Sequence, residues 1–274
     1  MGAIMANFIC VACGMQYSES ATPPSSCLIC TDERQFVPAN GQSWTTLDGM
    51  RRTHSNKFRR LARNILTIET TPAFGIGQRA FLVSTPGGNI LWECISLLDE
   101  ATIDIVSALG GVKAIAISHP HYYTTVVEWS RAFGNAPIYL HAADSQWVMR
   151  PDPHIQHWEG ETRQIGAGVT LIRLGGHFDG GAVLHWPDWD GGRGVLLSGD
   201  ILQVVPSGHV SFMWSYPNLI PLSAAKVLRM SRVLEPFGFD ALYGSFSGRG
   251  QIDAGAKDIV KASVSRYLAK SSEE

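Results

Sequence analysis

The run Ser118-His119-Pro120-His121-Tyr122-Tyr123 follows directly on the apolar stretch Lys113 to Ile117. The arrangement then recurs: Gly175-Gly176-His177 closes Val169 to Leu174, and Ser198-Gly199-Asp200 closes the run from Gly194. Three imidazoles and one carboxylate at the ends of short apolar runs constrain the fold more than any other feature, because layered α/β folds collect metal ligands where strands end. His119 and His121 are two residues apart, so an extended segment turns both side chains to the same side. The glycines before His177 let the backbone approach closely. A metal site built on His119, His121 and His177 is the expectation.

The rest of the chain supplies the layers. Arg79–Ser84 and Asn89–Cys94 read as two strands around Pro86-Gly87-Gly88, the signature of a hairpin. Ala101–Leu109 and Thr125–Phe133 read as helices flanking the buried strand Lys113–Ser118, and Pro137–Leu140 reads as a further strand. Val169–Leu174, Gly181–Trp186, Gly194–Ser198 and Phe239–Tyr243 read as strands, and Leu222–Leu234 and Asp253–Leu268 as helices. With 274 residues, of which 45% are hydrophobic and 17% charged, the chain can bury one large core, or a core plus a small appendage. A net charge of −2 gives no electrostatic case for nucleic acid or an anionic membrane. No apolar run is long enough to span a bilayer, and Met1 to Ile9 lacks a basic region before its apolar residues, so a cytoplasmic protein without a membrane partner is expected.

Cysteine spacing defines the appendage. Cys10-x2-Cys13 and Cys27-x2-Cys30 are separated by thirteen residues, close to the spacing of two knuckles sharing one tetrahedral ion. Gly14 suits a knuckle, where the backbone turns back so that amides face the thiolates. Two disulfides are the alternative, disfavoured in a reducing compartment. Residues 1–45 are therefore read as a zinc ribbon, similar to the rubredoxin-like ribbons, with iron as the other candidate ion. Residues 46–274 form the main domain. Its first part, 46–64, is read as a linker whose basic run Arg51 to Arg63 forms a solvated helix. A nucleic-acid contact there is disfavoured because no aromatic residues of the stacking kind are interleaved.

The order and spacing of the histidine and aspartate motifs resemble the metallo-β-lactamase superfamily, whose first motif reads His-x-His-x-Asp-His. The resemblance implies an αββα four-layer sandwich over roughly residues 60 to 270, here with the small N-terminal zinc ribbon in front. It implies that His119, His121 and His177 hold the first metal, and that Asp200 matches the carboxylate that bridges two metals in dinuclear relatives. The second-site ligands of those relatives are missing: Tyr123 and Thr124 stand in place of Asp and His, and Ser245-Phe246-Ser247 stands where a late His would be. A neutral phenol does not replace a carboxylate, so one active-site ion is expected: zinc, with iron or manganese as alternatives.

These readings lead to a metal-dependent hydrolase. A metal-bound hydroxide attacks an ester, thioester, lactone or amide of a small-molecule substrate at a mononuclear three-His plus Asp site. Asp200 serves as ligand or as general base. Tyr122, Tyr123 and Arg249 are candidates for replacing the charge of the missing second metal. By resemblance, Glu93 falls where relatives carry an Asp that hydrogen-bonds around the site. Cys94 reads as a buried small hydrophobe. His141 is a lesser pocket candidate, and the aromatic segment Val210–Pro217 is read as a pocket wall, a lid or a homodimer contact. Two alternatives are a mononuclear non-haem iron oxygenase acting on sulfur compounds, and a non-catalytic binding or regulatory protein with a degenerate site.

Overall fold

A computed structural model describes residues 5–166, 168–248 and 250–271. The chain divides into two compact units, one of residues 1–140 and 145–157, the other of residues 141–144 and 158–274.

The first unit carries a mixed sheet. Its strands run in the spatial order Ser55–Ala62, Ile65–Thr71, Arg79–Thr85, Gly88–Trp92, Ala114–Ala116, Ile138–His141 and Ile155–Trp158. The first four pair antiparallel, and Gly88–Trp92, Ala114–Ala116 and Ile138–His141 pair parallel. Parallel neighbours need crossovers, and these contain the helices Glu100–Ala108 and Val126–Ala132. The Asp99 side chain caps the first helix by accepting from the Thr102 amide at 2.8 Å, a device worth about 1 kcal/mol. Ile68, Leu82, Leu91, Val106, Ile115, Val127, Trp129 and Ile138 form the core.

The basic run is not a linker helix. After the one-turn helix Leu47–Arg51, residues Ser55–Ala62 form a strand paired in register with Ile65–Thr71. The physical reason is alternation: Lys57 and Arg59 are exposed, while Asn56 and Phe58, which alternate with them, turn inward, and Phe58 packs against the core. Lys57 lies directly opposite Glu69 and pairs with it at 3.1 Å. The strand stands at the end of the sheet, where charged side chains also discourage pairing with another chain.

The cysteine segment is part of this unit's core. Cys10, Cys13, Cys27 and Cys30 are all buried and cluster with Ile68, Leu82, Leu91 and Tyr123. Strands Ile9–Cys10 and Trp44–Thr45 pair antiparallel, and the Tyr17 ring meets Trp44 edge-on at 5.2 Å. Ser96 donates to the carbonyl of Gly14 at 2.9 Å. A Cβ on Gly75 would sit 3.1 Å from the backbone of Cys13 and Gly14, so this glycine permits a close approach to the first knuckle.

The second unit holds a six-stranded sheet in the order Thr162–Gln164, Thr170–Arg173, Ala182–Trp186, Val195–Gly199, Ala241–Gly244 and Gln251–Ile252. Only Val195–Gly199 and Ala241–Gly244 pair parallel, joined through the helix Ala224–Leu234. That helix and Ala256–Ser271 bury Val227, Met230, Leu234, Val260 and Val264 with Ile172, Leu196 and Leu242. Ser223 caps the former by accepting from the Lys226 amide. Among the described residues, no helix is long and apolar enough to cross a membrane.

Candidate metal centres

The four cysteine sulfurs lie within 4.8 Å of one another. Cys10 and Cys30, and Cys13 and Cys27, stand 3.6 Å apart as thiols, with no disulfide among them. Hydrogen bonding from Cys13 pulls the Cys10 thiol below its ordinary pKa, and bonding from Cys10 pulls Cys27 down; the same contacts push Cys13 and Cys30 up. Four buried sulfurs this close together fit a tetrahedral ion bound by sulfur. Gln42 Nε2 donates to Cys10 Sγ at 2.9 Å, the kind of outer contact that orients a thiolate ligand. Gly14 has φ +82°, and a Cβ there would come within 2.4 Å of Ser96 Oγ. Gly14→Ala is expected to cost about 1–2 kcal/mol from the left-handed backbone alone. Urea unfolding of the metal-loaded protein checks this, and an unchanged midpoint contradicts it.

The first histidine pair is set by a short helical turn. The strand Ala114–Ala116 ends, His119 remains extended, and Pro120–Tyr122 forms one 3₁₀ turn with Pro at its start. His119 and His121 are 1% and 3% exposed, their rings 5.0 Å apart. Ser118 Oγ lies 2.8 Å from His119 Nδ1, leaving Nε2 as the nitrogen for an ion. Fully buried Glu93, at φ +62°, accepts from the Ser118 amide at 3.1 Å and so fixes the start of the turn.

His177 and Asp200 are buried in the second unit. His177 Nδ1 lies 2.7 Å from the carbonyl of Trp214, which must accept, so Nδ1 carries the proton and Nε2 is the ligand nitrogen. Tyr216 packs edge-on against the His177 ring at 5.6 Å and donates its hydroxyl to the carbonyl of Asp200. The aromatic segment thus clamps both groups, a role its sequence did not reveal. The only signal was its closeness to Asp200 in the chain.

His119 and His121 of the first unit and His177 and Asp200 of the second, all four buried, make up the second group of side chains that could hold a metal ion. Three neutral nitrogens and a carboxylate suit zinc, iron or manganese. Of the other candidates, Tyr122 is fully buried edge-on to His119 at 4.6 Å. Tyr123 packs in the apolar core with Met15, Val126 and Val127. Arg249 lies outside the described residues. Thr124 is buried, and Ser245 is fully buried beside Gly199, donating its amide to that carbonyl at 2.9 Å. Burial pushes the Cys94 thiol up to about 12, so it is not a thiolate at neutral pH. His141 accepts from the Ala143 amide at Nδ1 and reaches the Gly160 carbonyl through Nε2 at 3.1 Å, and burial lowers its pKa; both ring nitrogens are used within the fold.

No family model matches the chain. It is 48% identical over 267 residues to the uncharacterized protein YmaE of Bacillus subtilis (strain 168), covering 96% of each chain. In structure it is similar to the metallo-β-lactamase DIM-1, with TM-score 0.58 and 13% identity over 80% of this chain and 99% of that one. It is also similar to the metallo-β-lactamase from Pontibacter korlensis, with TM-score 0.55 and 13% identity over 80% and 100% of the two chains. A third is the metallo-β-lactamase FIM-1 from Pseudomonas aeruginosa in its mono-zinc form, with TM-score 0.55 and 14% identity over 78% and 96%. At such identities the likeness lies in the fold.

Proposed function

We propose that the chain, which belongs to one family with YmaE and has the fold of the metallo-β-lactamases, is a metal-dependent hydrolase with a mononuclear centre. The observation that carries this reading is the group of four buried ligand atoms, in which His119 and His177 each have Nδ1 held by a fixed partner. When bound, an ion there polarises a carbonyl oxygen and makes a water more acidic. Asp200 accepts the proton that the attacking water loses and returns it to the leaving oxygen, sulfur or nitrogen as the acyl bond breaks. Trp214 holds the His177 imidazole in the tautomer that presents Nε2, Ser118 fixes the His119 ring through a hydrogen bond at Nδ1, and Glu93 holds the turn bearing His119 and His121. Neutral Tyr123, Thr124 and Ser245 at the positions of the second-metal ligands support a single ion, as does the existence of a mono-zinc form of FIM-1 on the same fold. The substrate is a small molecule with an ester, thioester, lactone or amide carbonyl.

The test is a panel of such substrates offered to protein loaded with zinc, manganese or iron, before and after chelation. Turnover of at least one class, lost on chelation and restored by the ion, is expected. Failure of every loaded form to hydrolyse any of them, together with oxygen uptake by the iron form in the presence of a sulfur compound, overturns the hydrolase in favour of the oxygenase.

A further inference from the structure

The four-cysteine knuckle lies against the turn that presents His119 and His121. The backbone amide of Gln16, two residues past Gly14, donates to the carbonyl of Thr124 at 3.2 Å. Thr124 comes three residues after His121 and has φ +35°, a left-handed conformation that a β-branched residue adopts only when its surroundings impose it. The Gln16 side chain is 2% exposed. Its Oε1 accepts from Arg150 Nη1, and its Nε2 donates to Glu128 Oε1 at 3.4 Å, on the helix that follows the turn. Arg150 and Glu128 pair at 2.6 Å, so a buried amide and an ion pair lock together. A second strap runs through Ser96. Its hydroxyl holds the Gly14 carbonyl, and its own carbonyl and that of Ile95 accept from Thr125 Oγ1 at 3.0 and 3.1 Å.

We infer that Gln16 and Ser96 are positioning residues through which the cysteine site fixes the His119–Thr124 turn, so that an intact knuckle raises the metal affinity of the histidine site. This rests on the reading of His119, His121, His177 and Asp200 as a metal centre. The left-handed conformation of Thr124 is unfavourable for a β-branched residue, and the contacts of Gln16 and Ser96 hold the turn in it. When they loosen, the turn relaxes and the imidazoles lose their preorganised placement. A separate, freely tethered ribbon would make neither bond.

Cobalt(II) titration of the full chain separates the two sites, since thiolate-to-cobalt charge transfer reports the cysteines and the weaker visible bands report the histidine site. Gln16→Ala, which removes the side-chain amide from the Arg150–Glu128 pair but keeps the backbone bond to Thr124, and Ser96→Ala, which frees the Gly14 carbonyl, are expected to leave the charge-transfer band unchanged and to weaken cobalt binding at the histidines about tenfold. Adding Thr124→Gly to either, because glycine takes a positive φ without strain, is expected to restore much of that loss. Wild-type affinity at the histidine site in both single variants overturns the inference while leaving the metal centre intact. A wild-type protein that takes cobalt only at the cysteines overturns the metal centre and this inference with it.

Discussion

Asp200→Asn, at full metal content, lowers turnover of the hydrolysed substrate by about two orders of magnitude or more, the contribution of a positioned general base. Asn keeps the size and shape of Asp but neither accepts a proton at neutral pH nor carries charge toward an ion. The side chain is 3% exposed, at the end of the strand Val195–Gly199, with its carbonyl held by Tyr216, so the replacement fits the same backbone. The loss therefore falls on kcat rather than on folding, and thermal unfolding of the variant remains close to that of the parent. Wild-type turnover in metal-replete Asp200→Asn removes the base from the mechanism.

Replacing Cys27 and Cys30 together by Ser has the largest expected effect on stability. The two sulfurs are 0% and 2% exposed and sit in the same core as Leu82, Leu91 and Tyr123. Structural zinc contributes apparent binding free energies on the order of 10 kcal/mol in small cysteine domains, comparable to the whole stability of a typical domain. Without the ion, four polar groups remain buried together and the knuckle beside Ser96 has nothing to close it. The variant is expected to lose one bound ion per chain, and to be largely unfolded or insoluble at 25 °C. A soluble variant with the parental melting temperature contradicts the placement of the cysteines in the core.

Both metal centres were legible because ligand chemistry leaves a spacing signature. Two Cys-x2-Cys pairs, and His-x-His after an apolar strand, announce themselves whatever surrounds them. Four strands of the second unit were legible for a similar reason, being short apolar runs bounded by Gly or Asp, whereas the short, polar edge strands Thr162–Gln164 and Gln251–Ile252 left no such pattern. The strand Ser55–Ala62 was not, because an edge strand buries little: with Phe58 as its one large inward side chain, its basic residues read as a solvated helix. The clamps on the ligands were invisible on principle. Trp214 holds His177 through a backbone carbonyl, and Gln16 reaches Thr124 through a backbone amide, contacts that exist only once distant segments meet. For the same reason the ribbon read as a separate appendage, although Gly14, Gly75 and Ser96 tie it to the core.

Elemental analysis of the full chain purified without added metal tests the central claim most directly. Two complete donor sets, one of four cysteines and one of three histidines with Asp200, predict two tightly bound ions per chain in the wild type. His121→Ala removes a ligand from the second set and predicts one, the survivor being the ion held by sulfur. Three tightly bound ions in the wild type, or two undiminished in His121→Ala, contradict the mononuclear histidine centre.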